Sequence, residues 1–131
     1  MKSKLINSFE DYIKEDSFQI TFTMSFSLND LIDFNLITFN DDLSQDDLNN
    51  IFDYFKKSYM SGDSMLNSCS VNLSSNDIMF NVSSTSISNE IAKKEFICLI
   101  RDIVHNISNN FYAVCDKNEN KIKKFVTKFY E

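Results

Sequence analysis

The stretch FQITFTMSF, residues 18–26, alternates without a fault: Phe18, Ile20, Phe22, Met24 and Phe26 against Gln19, Thr21, Thr23 and Ser25. A period of two sends successive side chains to opposite faces of an extended chain. One face is then apolar and must lie on a core, while the other carries hydroxyls and an amide and meets water. That is the pattern of a strand in an antiparallel sheet, and it obliges the rest of the chain to supply a cover for one sheet face.

Helical spacing supplies that cover. In residues 4–15, Leu5, Ile6, Phe9, Tyr12 and Ile13 fall on one stripe, which predicts an N-terminal helix lying on a core. Further on, FSLNDL (residues 26–31) and LSQDDL (residues 43–48) share one grammar: apolar, Ser, two others, Asp, Leu. In each, the Ser hydroxyl is placed to accept from an orphan amide of a first helical turn. The Asp at the third helical position suits the positive end of the helix dipole, and the flanking apolar pair forms a hydrophobic staple. A short helix is therefore expected after Ser27 and a longer one after Ser44. The longer one turns Leu48, Ile51, Phe52, Phe55 and Tyr59 inward and leaves Asp46, Asp47, Asn50, Asp53 and Lys57 toward water.

Two more alternating segments, residues 65–73 and 78–87, flank the turn residues SSND and predict a hairpin. Ser88 then opens the longest helix, to about residue 109, with Ala92, Phe96, Leu99, Ile100, Ile103 and Ile107 on its buried face. FYAVC, residues 111–115, reads as a last strand. The tail from Asp116 has two readings: Ile122, Phe125, Val126 and Phe129 fit a helix, whereas DKNENK fits a hairpin turn. The expectation is a single α+β domain over residues 1–131, an antiparallel sheet packed by helices. Its order of strand, helix, strand, strand, helix, strand is the split βαβ of a ferredoxin-like sandwich, here with an extra N-terminal helix.

Composition agrees. A chain of 131 residues that is 43% hydrophobic with 13 Phe fills one core, and 24% charged residues are ordinary for a globular protein, which excludes global disorder. No apolar run approaches the roughly 20 residues that cross a bilayer, and MKSKLINSFEDYIKED lacks the unbroken apolar centre of a secretory signal, so a cytoplasmic protein without membrane contact is expected. Cys69, Cys98 and Cys115 are odd in number and irregularly spaced, which points to reduced thiols rather than a disulfide framework or a zinc site. The three Asn-x-Ser sequons at Asn72, Asn81 and Asn106 are what an Asn- and Ser-rich chain produces by accident.

Candidate chemistry is sparse. NDDLSQDDLNN, residues 40–50, has carboxylates enough for a calcium loop but neither the bend Gly nor the closing Glu. Gly62 is the one glycine, too few for a phosphate-cradling loop. His105 and Cys98 are seven residues apart on a predicted helix, roughly 10 Å along its axis and beyond hydrogen-bond reach, so they form no nucleophile–base pair. Asp116, Glu119 and Lys121 resemble the acid, acid, Lys set of metal-dependent nucleases but sit in a polar turn rather than on a strand. No metal, cofactor or catalytic residue is expected, and the protein reads as a non-enzyme.

Charge layout is the one functional signal. No Lys or Arg lies between Lys14 and Lys56, yet Glu15, Asp16, Asp30, Asp33, Asp41, Asp42, Asp46, Asp47 and Asp53 do, so the net charge of −6 is concentrated there; a Lys-rich tail follows at the other end. Such a face repels nucleic acid and attracts a basic surface. The expected partner contact is Asp30, Asp33, Asp41, Asp42, Asp46, Asp47 and Asp53. The expected partner is a basic protein such as a nuclease or other nucleic-acid-handling protein, whose phosphate sites the aspartates would occupy. Phage inhibitors of host nuclease systems and immunity proteins against nuclease toxins act in this way. The competing expectation is a structural or scaffold subunit held by an apolar interface, with the acidic face serving solubility alone.

Overall fold

The computed structural model describes residues 19–59, 68–74 and 76–130. The N-terminal helix expected over residues 4–15 and the loop at Gly62 lie outside the described residues. Elements run β1 (Ile20–Ser27), α1 (Leu28–Asp33), β2 (Ile37–Thr38), α2 (Gln45–Tyr59), β3 (Ser68–Leu73), β4 (Ile78–Ser86), α3 (Asn89–Phe111), β5 (Val114–Cys115) and α4 (Glu119–Tyr130). The protein is α+β, with antiparallel sheets packed by helices.

β1, β4 and β3 form the main sheet in that order, all antiparallel. Register pairs Met24 with Val82 and Phe26 with Phe80, then Phe80 with Val71, so the apolar parity of every strand falls on the same face. Phe26 stacks on Phe80 at 4.9 Å between ring centroids, and Phe55 of α2 meets Phe80 edge-on at 5.3 Å. The opposite face is polar, as the alternation of residues 18–26 predicts: Thr21 bonds Thr85 across strands at 3.1 Å, and Ser25 donates to the Asn81 Oδ1 at 2.5 Å. Helices complete the core with Leu28 and Leu31 from α1, Ile51 and Phe55 from α2, Phe96, Ile100 and Ile103 from α3, and Ile122, Phe125 and Val126 from α4, all buried. No helix among the described residues is long and apolar enough to cross a membrane.

The three-stranded order is the first part of the ferredoxin-like arrangement: β4, from the hairpin, lies between β1 and β3. The last strand departs from it. α3 runs on through Phe111, Tyr112 turns the chain with a left-handed backbone (φ 56, ψ 39), and only Val114 and Cys115 are extended before α4 begins at Glu119. Five residues of FYAVC were expected as strand; two are. β5 pairs not with β1 but with β2, a two-residue strand absent from the sequence expectation, as a separate ribbon with Ile37 opposite Cys115. The core-facing side of β1 meets α4, through Phe26–Phe125 at 5.6 Å and Phe22–Tyr130 at 6.2 Å.

The ambiguous tail is thus a helix. Asn118 caps it, its Oδ1 accepting the Lys121 N–H at 3.1 Å, while the Asp116 Oδ1 accepts the Asn118 N–H at 2.9 Å. DKNENK is the entry to that helix and not a hairpin.

Candidate functional site: an acidic cleft edged by aromatics

Both predicted helix starts are capping boxes. At α1 the Ser27 Oγ accepts from the Asp30 N–H at 3.1 Å and the Asp30 Oδ2 accepts from the Ser27 N–H at 2.9 Å. At α2 the Ser44 Oγ accepts from the Asp47 N–H at 3.1 Å and the Asp47 Oδ2 from the Ser44 N–H at 3.0 Å. The half-buried Asp30 is therefore turned back on its own helix start. Asp47 is committed in the same way but stays exposed.

Asp41 and Asp42, which no cap explains, sit exposed in the connection from β2 to α2, and a cleft opens on each side of that connection. One, of about 360 Å³, lies against the end of α3 and gathers Asp41, Asp42 and Asp47 with Phe39, Phe111 and Tyr112. The other, of about 400 Å³, lies against α1 and the hairpin turn and gathers Asp41 and Asp42 with Asn29, Asn35 and Asn76. The Asn29 N–H donates to the Asp77 Oδ1 at 3.1 Å, which holds α1 to that turn. Among the described residues, no Lys or Arg lines either cleft. Among the described residues no ion pair reaches Asp41, Asp42, Asp46 or Asp47, whereas Arg101–Glu119, Lys121–Asp116 and Lys123–Glu119 do pair.

Of the seven predicted contact residues, then, the structure brings three together, Asp41, Asp42 and Asp47, with Asp46 beside them in the first turn of α2. Asp33 at the end of α1 and Asp53 midway along α2 are exposed but line neither cleft, and Asp30 is occupied by its cap. Sequence reasoning missed Tyr112 and Val114, which are 89% and 63% exposed. Tyr112 lines the first cleft, whereas Val114 lines neither and pairs with Thr38, directly before Phe39, in the β2–β5 ribbon. No local signal marks them, because the ribbon joins residues far apart in the chain.

The other candidates resolve into structure. His105 is exposed on α3, with Lys117 Nζ 3.1 Å from its Nδ1 and Asn109 Nδ2 2.9 Å from its Nε2. The acid, acid, Lys set separates: Asp116 pairs with Lys121 at 3.0 Å, while Glu119 faces Arg101 and Lys123, both at 3.5 Å. The Asn118 backbone N–H, and then Lys121, hold the Asp116 carboxyl below its ordinary value of 3.8. Among the described residues no three His, Cys, Asp or Glu side chains are gathered as a metal site. Inside the sheet, Ser84 and Ser86 are buried and bonded to each other at 3.2 Å, and Ser84 also donates to Glu95, which satisfies the polar groups that the strand carries inward.

Comparison of the chain with protein-family models, with curated proteins and with solved structures finds no match in any of the three. The functional reading rests on the site itself.

Proposed function

We propose that this is a small cytoplasmic, non-enzymatic binding protein that blocks a basic surface of a protein partner, of the kind that handles nucleic acid. The single observation that supports it is the cleft in which Asp41, Asp42 and Asp47 meet Phe39, Phe111 and the exposed Tyr112, with no basic side chain among the described residues that line it. Carboxylates attract and orient a cationic surface at long range, and an exposed aromatic ring supplies desolvated contact area and a face for a guanidinium or ammonium. Tyr112 also holds a left-handed backbone that disfavours any residue with a Cβ. An aromatic side chain kept in such a conformation, pointed at water, fits a role in contact rather than in folding.

The test is capture from lysate on the immobilised 131-residue chain, elution by rising salt, and repetition with Asp41→Asn/Asp42→Asn, a pair that leaves both capping boxes intact. A nucleic-acid-binding protein that elutes at moderate salt, is lost with the double substitution and is displaced by duplex DNA supports the proposal. Two exposed charges are worth about 1–2 kcal/mol together, so the double variant binds roughly five- to thirty-fold more weakly at low salt. A partner that resists salt and ignores the substitutions overturns it in favour of a subunit held by an apolar interface.

A further inference from the structure

β1 ends the main sheet, with β4 as its one neighbour among the described residues. Which of its main-chain groups face outward follows from the hairpin. The Ser74 N–H donates to the Asp77 carbonyl at 2.9 Å, and bonded positions alternate along an antiparallel ladder, so Asn72 with Met79 and Ser70 with Asn81 are bonded pairs of β3 and β4. Phe80, Val82 and Ser84 therefore turn their N–H and C=O groups to β1, where Phe26, Met24 and Phe22 receive them. Thr21, Thr23 and Ser25, all with exposed side chains, are left with their main-chain groups pointing to the open edge. Ser27 agrees with this parity, since its N–H is donated to the Asp30 Oδ2 at 2.9 Å. The usual protections of an edge are absent from β1: ITFTMSFS holds no charge and no Pro, and its register with β4 runs from Ile20 to Ser27 without a bulge.

What lies beneath the edge limits the occupant. α3 touches both β4 and β1, and α4 lies beside α3, with the Tyr130 ring 5.2 Å from that of Phe96. Packed helices stand about 8–10 Å apart and paired strands about 4.8 Å, so α4 extends past β1 as a ledge. A second copy pairing through its own β1 would bring its α4 into the same space, which leaves room for one added strand and not for a two-fold sheet. On the side of α4 away from α3, Lys128 stands nearly opposite Tyr130 around the helix and is exposed. Its Nζ lies 5.9 Å from the Phe34 ring and 5.6 Å from the Phe129 ring, both half-buried. Among the described residues no carboxylate pairs with it. We infer that the β1 edge accepts an extended segment of a partner protein as an added strand, with apolar side chains at alternate positions resting on α4 and a carboxylate at one end meeting Lys128. The edge carries no charge and its ledge a cation, unlike the acidic cleft, so the inference stands whether or not the proposed function does.

The experiment is amide exchange and chemical-shift titration by NMR on the 131-residue chain, with a synthetic nine-residue peptide that alternates Val and Thr and carries Glu at each end. In the free chain the Thr21, Thr23 and Ser25 amides should exchange at least about tenfold faster than those of Phe22 and Met24, which β4 holds. Saturating peptide should slow those three about tenfold, and Lys128→Met should weaken its binding about two- to fivefold at low salt. A peptide of the same composition with the alternation broken should bind about tenfold more weakly. Thr23→Pro removes an outward N–H while leaving the β4 ladder its donors, and should abolish binding. Thr21, Thr23 and Ser25 amides as protected in the free chain as Phe22 and Met24 overturn the inference, since the edge is then already covered. Equal binding of the two peptides, or shifts that spare β1, also overturn it, and none of these arms needs a substitution.

Discussion

Phe125→Ala tests whether α4 is integral to the core. Phe125 is fully buried and meets three rings: Phe26 of β1 at 5.6 Å, Phe34 after α1 at 5.3 Å and Phe129 one turn on at 4.5 Å. Truncating a buried Phe to Ala removes its transfer free energy and leaves a cavity, together about 3–5 kcal/mol. With rings on three sides that are themselves packed, collapse into the space is limited, so about 4 kcal/mol is expected. A domain of this size has roughly 5–15 kcal/mol of stability in all, and the variant should be close to marginal. With a urea m-value of about 2 kcal/mol/M the unfolding midpoint, followed by far-ultraviolet circular dichroism, falls by about 2 M. Phe125→Leu keeps much of the apolar volume and should cost half as much or less. Thr127→Ala, exposed on the same helix, should stay within about 0.5 kcal/mol of the parent. A loss below about 1 kcal/mol for Phe125→Ala would refute the packing of α4 against β1.

Two further outcomes follow from particular side chains. Tyr112→Gly relieves a left-handed backbone at a site that is almost wholly exposed, so a gain of about 1 kcal/mol in denaturant unfolding is expected, together with weaker partner binding; a loss of stability would show that the ring is packed. Asp116, followed by carboxyl NMR, should titrate below 3.8; because its folded value is depressed, its contribution to stability is complete above that ordinary value and is lost as pH falls through the depressed one. Lys121→Met should move the titration only part of the way back, since the Asn118 N–H is the larger cause.

Much of this architecture is written locally. The alternation of Phe22, Met24 and Phe26 against Thr21, Thr23 and Ser25 fixes which side of β1 meets the core, since a slip of one residue would put three large apolar side chains in water. Ser27–Asp30, Ser44–Asp47 and Ser88 start their helices through contacts three residues apart, which any reading of the chain can find. For the same reason Asp30 and Asp47 were legible as caps before they were legible as anything else.

Only tertiary structure decided the rest. Whether the tail is helix or hairpin turns on the sheet face it meets: Phe125 and Tyr130 find Phe26 and Phe22, and that burial selects the helix. Ile37 and Thr38 are a strand only because Cys115 and Val114 lie opposite them, a pairing whose closure depends on the whole intervening chain being folded. That same long-range ribbon separates Asp41 and Asp42, which share a cleft with Tyr112, from Asp33 and Asp53, which do not. The sequence by itself determined the charge, the caps and the buried stripes, because each depends on neighbours within a few residues. The tertiary structure determined which carboxylates act together and which aromatic stands among them, because those distances are set by packing across the domain.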